Sequence, residues 1–397
     1  MSLPVQTKMA IVGAGPHALT LVTHLLQKRE KYRHKIIVFD PSGTWMSQWQ
    51  QQFAAQDIPH LRSPVVHHPD PDPYSLRRFA EHRLDELFPP YDLPGTKVFQ
   101  EFSQDVVSRW QLEDKVYKSS VTNIAPITYR GKPNFRVELD DGNSTIAHQV
   151  VVANGGGKSQ LPEWAKKIST PYPNESLCHS NEVDLQGLRL KGEKVLVIGG
   201  GLTSGHLALG ALKRGANVAL MLRRKLKEKL FDADAGWLGP KYLKVFSAET
   251  DWQKRWQLIQ EARDGGSVTP EVMTQLRRYQ HQNELSIFEE CQVVGAEFVG
   301  DRWQVKCDDG MTWECDRIWL ATGTKLDIIE QPILKEVLHT HPVKIINGLP
   351  VLDEYLCWSG CELFIMGGLA ALQVGPVARN LSGARMASTR IVSALKS

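Results

Sequence analysis

The chain has 397 residues, 42% of them apolar, which is enough for two or three domains with sizeable cores. Its 47 basic and 44 acidic residues leave a net charge of +3, which excludes an extended nucleic-acid surface or a polybasic membrane patch. No stretch approaches the roughly 20 apolar residues that span a bilayer, and "KMAIVGAG" follows the N-terminus with no cleavable signal, so a soluble cytoplasmic protein is expected.

A strand over about 8–13, a helix over about 16–29 and the strand "KIIVFD" ending on Asp40 make a βαβ opening. Residues 41–75 are loop-like and rich in Pro, His and Asp, and 75–110 are helical in pieces. Residues 121–155 then alternate strand, turn, strand, turn, strand, with a "DDG" hairpin, and close on a hydrophobic strand followed by Ala-Asn-Gly. Residues 291–323 repeat that plan, with a second "DDG" and a closing Ala321-Thr322-Gly323. Each meander follows a glycine-rich turn, the second being "VIGGGLTSGH" from 197. The chain is therefore expected to be α/β, with two Rossmann-like dinucleotide-binding domains, each carrying an antiparallel β-meander. One domain takes residues 1–165 and 316–397, and the other takes 166–315 with a helical insertion at 225–290. In that insertion Thr269 is placed to cap a helix with Pro270 at its first position.

The glycine turns carry the chemistry. A dinucleotide pyrophosphate brings negative charge against backbone, and a helix N-terminus offers it unpaired N–H groups and partial positive charge. Gly13 permits the tight turn, Gly15 lets phosphate approach, and Ala18 is small enough for helix to pack on strand, with Pro16 and His17 between them. Asp40, followed by Pro41, ends the next strand where a carboxylate accepts from ribose hydroxyls. In the second turn Gly199 and Gly201 precede Thr203 and Ser204, but the following strand ends on Arg223 and Arg224. Guanidinium groups fork onto a 2′-phosphate, which favours NADPH over NADH; the plainer reading makes both arginines solvated residues. Two such sites of contrasting charge imply a resident flavin, FAD, and an exchangeable nicotinamide, with hydride transfer between them. Six scattered cysteines offer no C-x-x-C and no metal-ligand spacing, so no metal site is assigned; the closest pair, in "CWSGC", reads as structural.

The order GxGxxA, "SGTWMSQW", "HSNEV" and "IWLATG" resembles the two-dinucleotide flavoprotein monooxygenases, over essentially the whole chain. The stretch "IPHLRSPVVHHPDPDPYSLRRF" and the insertion resemble the lysine and ornithine N-hydroxylases, although "GGSVTPEV" stands where their Asn-Tyr signature is expected. The resemblance places Arg62 on their active-site lysine, where it would hold an anionic substrate group or support the activated flavin; as a surface arginine it would do neither. Trp45 would form the flavin side of the pocket, with a packing role as the alternative, and His179 reads as a linker residue. Ala321, Thr322 and Gly323 form the family's "ATG" element, and the stretch from Gly367 through Leu372, Gln373 and Val374 would line the flavin's pyrimidine edge. The implied activity is NADPH- and FAD-dependent oxygenation of a small nucleophilic substrate by O₂ through a peroxyflavin. Two rivals stay open: an NADPH:acceptor reductase without oxygenation, and a non-catalytic flavin-binding protein. Neither nucleic acid nor membrane is expected as a partner, and homo-oligomerisation stays open.

Overall fold

A computed structural model describes residues 2–395 of the chain. The first βαβ forms as β1 (Gln6–Val12), α1 (Pro16–Lys28) and β2 (Ile36–Asp40). The longer helices α2 (Ser47–Ala55) and α3 (Thr96–Arg109) follow, with a short helix at Ser75–Phe79 between them, then β3 (Val116–Lys118) and the meander β4 (Val121–Tyr129), β5 (Lys132–Leu139) and β6 (Ser144–Val152). Strand β6 belongs to two structures at once. Its first half pairs antiparallel with β5, Ile146 opposite Arg136, and its second half runs parallel to β1, Val151 beside Ile11. The first meander is thus fused to the parallel sheet, in the order β3-β2-β1-β6-β5-β4.

The second unit contains β7 (Leu177–His179), β8 (Lys194–Ile198), α4 (Leu202–Lys213) and β9 (Asn217–Leu222). The helical segment gives α5 (Pro240–Ala248), α6 (Trp252–Arg263) and α7 (Pro270–His281), and Thr269 caps α7 through a bond from the Val272 N–H, as its position predicts. Strands β10 (Leu285–Glu289), β11 (Val293–Val299), β12 (Arg302–Cys307), β13 (Thr312–Cys315) and β14 (Arg317–Leu320) complete it. Its sheet is wholly parallel, β7-β14-β8-β9-β10, and the second meander β11-β12-β13 stands apart from it. The expected boundary before residue 316 is corrected here. Strand β14 is an inner strand of the second sheet, flanked by β7 and β8, so the chain leaves that unit only after Leu320. It returns to the first sheet as β15 (Leu363–Ile365) beside β6, and ends in α8 (Leu381–Ala394). The two crossings lie side by side, residues 157–159 pairing antiparallel with 324–326.

The insertion divides its loyalty. Val272, Met273 and Leu276 of α7 pack with α4 in the second core, whereas Trp237, Phe246 and Ile259 are buried in the first core with Leu372 and Val374. Arg255 of α6 secures that contact by donating to the Leu372 carbonyl at 3.1 Å, with its guanidinium over Trp252.

Candidate functional site: two glycine turns and an aromatic cleft

Both glycine turns are shaped by the strand that returns to them. Gly13 has φ +96°, and a Cβ there would lie 2.9 Å from the Ala153 carbonyl oxygen; Gly199 has φ +148°, and its Cβ would lie 2.3 Å from that of Ala321. These alanines open the two Ala-[Asn/Thr]-Gly segments, so the architectural repeat seen in sequence has a packing cause: each closing strand abuts the first glycine of its own turn. By contrast, Gly15 and Gly201 face open space, with no atom within 4 Å of an added Cβ. Each is the N-cap of its helix, and neither helix has a side-chain cap. The first N–H groups of α1 and α4 are therefore available to an anion, and the residues fit the two dinucleotides.

Around the first turn, the Asp40 carboxylate accepts from the Ala14 N–H at 3.0 Å and from the Ser42 hydroxyl at 2.6 Å, which fixes it beside the turn, with Pro41 exposed next to it. Ala18 is fully buried. His17 donates from Nε2 to the Ala378 carbonyl at 3.0 Å, and burial holds its pKa below the ordinary imidazole value. Gly367, with φ +73°, sits next to that imidazole.

From Pro16 and His17 a cleft opens, walled by Trp49, Phe53 and Leu61. The other walls are Phe231 and Leu238 of the insertion and the residues 377 and 379–382 that lead into α8. Trp49 stacks on Phe53, ring centroids 4.0 Å apart. The N-terminus of α8, without a side-chain cap at Asn380, is directed at this space.

Several expected positions lie elsewhere. Leu372 and Val374 are core residues, and the Gln373 side chain donates to the Leu352 carbonyl at 2.6 Å, so the stretch that reaches the cleft is 377–382. A second break, "VGPV", separates the two, and the helix that follows it supplied the overlooked signal. Trp45 is 8% exposed and donates from its indole to the Leu112 carbonyl at 2.9 Å; it packs, and the aromatic that reaches the cleft is Trp49, one helical turn further on in the same motif.

Arg62 touches the cleft's edge, but its guanidinium is committed. Nε donates to the Leu230 carbonyl (2.8 Å), Nη1 to Asp232 Oδ1 (2.7 Å) and the Ser267 carbonyl (3.3 Å), and Nη2 to the Lys229 carbonyl (2.6 Å) and Ser267 Oγ (2.8 Å). All five donors are used, so none is left for a substrate anion. Burial pulls its pKa below the usual arginine value against the opposing charge of Asp232. In this structure Arg62 is a strut between the flavin-side loop and the insertion, reinforced by Arg214–Asp57 at 2.6 Å and His60–Glu271 at 2.6 Å.

At the second turn Thr203 is half-buried, while Ser204 is fully buried and donates to the Gly201 carbonyl at 2.6 Å, turned into its own helix. Arg223 is exposed just past β9, and Arg224 donates from Nη2 to the Gly265 carbonyl at 2.9 Å. The Thr322 hydroxyl donates to the Gln160 carbonyl, and the Gly323 carbonyl accepts from Gln160 N and from His179 Nε2, at 2.9 and 3.1 Å. This element, with His179, fastens the crossing between units. All six cysteines are free thiols; Cys291, Cys307 and Asp309 bring ligand atoms within 4.8 Å of one another, and burial pushes the Cys307 thiol up to about 12. Among the described residues no helix is long and apolar enough to cross a membrane.

Comparison with known proteins gives two overlapping family matches. Residues 10–157 match a family of FAD-NAD(P)-binding proteins, and residues 94–325, more than half of the chain, match the L-lysine 6-monooxygenase/L-ornithine 5-monooxygenase family. No curated protein matches in sequence. Among solved structures, the fold is similar to the ornithine N-hydroxylase of Kutzneria sp. 744 (TM-score 0.78, 18% identity, 98% of each chain). It is also similar to the cadaverine monooxygenase of Erwinia amylovora (TM-score 0.77, 14% identity, 98% of this chain and 94% of that one). The ornithine hydroxylase of Pseudomonas aeruginosa gives a TM-score of 0.76 at 17% identity, over 98% of each chain.

Proposed function

The chain belongs to the L-lysine 6-monooxygenase/L-ornithine 5-monooxygenase family, and from that premise we propose that it hydroxylates the nitrogen of a small amine at the expense of NADPH and O₂. It is a flavin monooxygenase with FAD and NADP as its cofactors. When bound, FAD would take up the hydride given by NADPH and, once reduced, activate O₂.

The chain's own residues bind, orient and shield. The open N-terminus of α1 at Gly15 receives the FAD pyrophosphate, and Asp40, already fixed by Ala14 and Ser42, offers its remaining lone pairs to a ribose. The N-terminus of α8 faces the cleft with unpaired N–H groups, which favours negative charge on a ring bound there. Trp49, Phe53, Leu61, Phe231 and Leu238 put apolar surface on the cleft beside the charged Arg62, Asp232 and Arg379, and that apolar part works against water, which would otherwise divert activated oxygen to peroxide. Gly201 receives the NADPH pyrophosphate, with Arg223 and Arg224 beyond the next strand as partners for the 2′-phosphate. A neutral amine needs no general base, and none is assigned; Arg62 supports the joint from which the pocket is built.

The observation that carries this reading is the convergence on one cleft of the first glycine turn, an aromatic wall and the N-terminus of α8. The test is to screen small mono- and diamines and basic amino acids while following NADPH oxidation, hydroxylamine and hydrogen peroxide together. One amine should yield hydroxylamine in near-stoichiometric proportion to NADPH. Oxidation that yields only peroxide across the panel would make the chain a reductase or oxidase and overturn the proposal.

A further inference from the structure

Arg224 does not project freely from the end of β9. Its Nη2 donates to the Gly265 carbonyl at 2.9 Å across 41 residues of sequence. The guanidinium lies flush against that glycine, so that an added Cβ would fall 1.7 Å from Nη2. Gly265 has φ +68° and its neighbour Gly266 φ +96°, both in the region that favours glycine. Gly266 in turn lies close to the second turn itself, since a Cβ there would sit 3.3 Å from Gly201 Cα. The loop is tethered by Asp264, which pairs with Lys227 at 2.7 Å and Lys229 at 3.3 Å and so removes those two cations from the basic run. The Gly-Gly pair therefore lets the insertion's backbone press against both the mouth of the second turn and the flat face of the one arginine it engages.

We propose that Gly265 is a positioning residue for reductant choice: its carbonyl and its missing side chain hold the Arg224 fork at the second turn, where it discriminates a 2′-phosphate from a bare 2′-hydroxyl. The proposal rests on the NADPH reading above. One N–H of the guanidinium is spent on Gly265, and the other four stay available for a planar, forked contact with phosphate. In Gly265→Ala the intruding methyl meets the movable end of a long side chain, so Arg224 is displaced; alanine at φ +68° also strains the loop, and unchanged monophosphate binding is the control for that strain.

The experiment is calorimetric titration of the FAD-loaded protein with adenosine 2′,5′-bisphosphate and with adenosine 5′-monophosphate, which reads binding without turnover. Wild type should prefer the bisphosphate. Gly265→Ala should lose on the order of tenfold in bisphosphate affinity, the scale of one charged hydrogen bond, and bind the monophosphate unchanged. Gly265→Ala combined with Arg224→Ala should be no worse than Arg224→Ala alone, because the glycine acts through the arginine. Should Gly265→Ala fail to fold, Arg224→Lys, which keeps the charge but loses the fork, should show the same selective loss. A wild type that prefers the bisphosphate while Gly265→Ala keeps that preference, or additive losses in the double variant, sinks this inference alone. A wild type without preference takes the NADPH reading down with it.

Discussion

Replacing Arg62 separates a strut from a substrate-binding residue. In Arg62→Ala the carbonyls of Lys229, Leu230 and Ser267 lose their donor, and Asp232 keeps only Arg263 at 3.6 Å. The Arg62 side chain is 12% exposed but Asp232 is 34% exposed, so removing one partner of this part-solvated, multiply bonded pair falls at the low end of the buried-pair range, about 3 kcal/mol. Water entering the vacated space satisfies part of what is orphaned, so the separate carbonyl penalties are not added on top. At roughly 2–4 °C per kcal/mol for a cooperative unit of some 150–250 residues, the melting midpoint should fall by roughly 10 °C. Arg62→Lys, with three donors on a single nitrogen, should fall between the two. The assay is differential scanning calorimetry of the FAD-loaded protein together with steady-state kinetics on the amine that passes the screen. An unchanged midpoint with a large rise in KM for the amine would refute the strut and restore Arg62 to the substrate.

Gly13→Ala and Gly15→Ala should part company: the first adds a methyl 2.9 Å from the Ala153 carbonyl at φ +96° and should destabilise the apoprotein by about 1–2 kcal/mol or more. The second, at φ −80° with open space before it, should leave apoprotein stability within about 0.5 kcal/mol while FAD retention, read by flavin fluorescence after gel filtration, is lost. His24, His68 and His206 are each held down to about 4 by burial, from the ordinary 6.5. The unfolded chain then binds more protons than the folded one between those values, so stability is full above pH 6.5 and falls as pH drops towards 4, by up to about 1.4 kcal/mol per pH unit for each residue. Urea unfolding at pH 7.5, 6 and 5 measures this, and His206→Leu should flatten the dependence by about one proton; equal stability at pH 7.5 and 5 would show that these rings are not buried as neutral bases.

What sequence disclosed was whatever local chemistry dictates. The glycine turns announce themselves because pyrophosphate demands absent side chains, and the Thr269-Pro270 cap because both residues act within one helical turn. The same holds for the paired meanders, whose Ala-[Asn/Thr]-Gly ends are the surfaces against which Gly13 and Gly199 press. What stayed hidden depends on partners far along the chain. Nothing near Phe246 or Ile259 says that they are buried in the core of the first unit, and nothing near Arg62 tells that Lys229, Leu230 and Ser267 will receive its donors. Strand β14 reads as the end of a meander, and only its pairing with β7 and β8 assigns it to the second sheet. The cleft residues 377–382 were obscured by Leu372–Val374 because both stretches lie beside a helical pattern and both hold buried residues, and only the lining of the cleft tells them apart.

The paired crossing at 157–159 and 324–326 gives the nicotinamide-side unit a single doorway, through which its polypeptide both enters and leaves. A body attached at one narrow ribbon would be free to swivel, but this one is also pinned elsewhere by Phe246 and Ile259, plugged into its neighbour's interior. With the Arg62 joint and the Arg214–Asp57 and His60–Glu271 pairs as further fixtures, admission of a fresh nucleotide calls for a shallow adjustment and not a wide swing of one half away from the other.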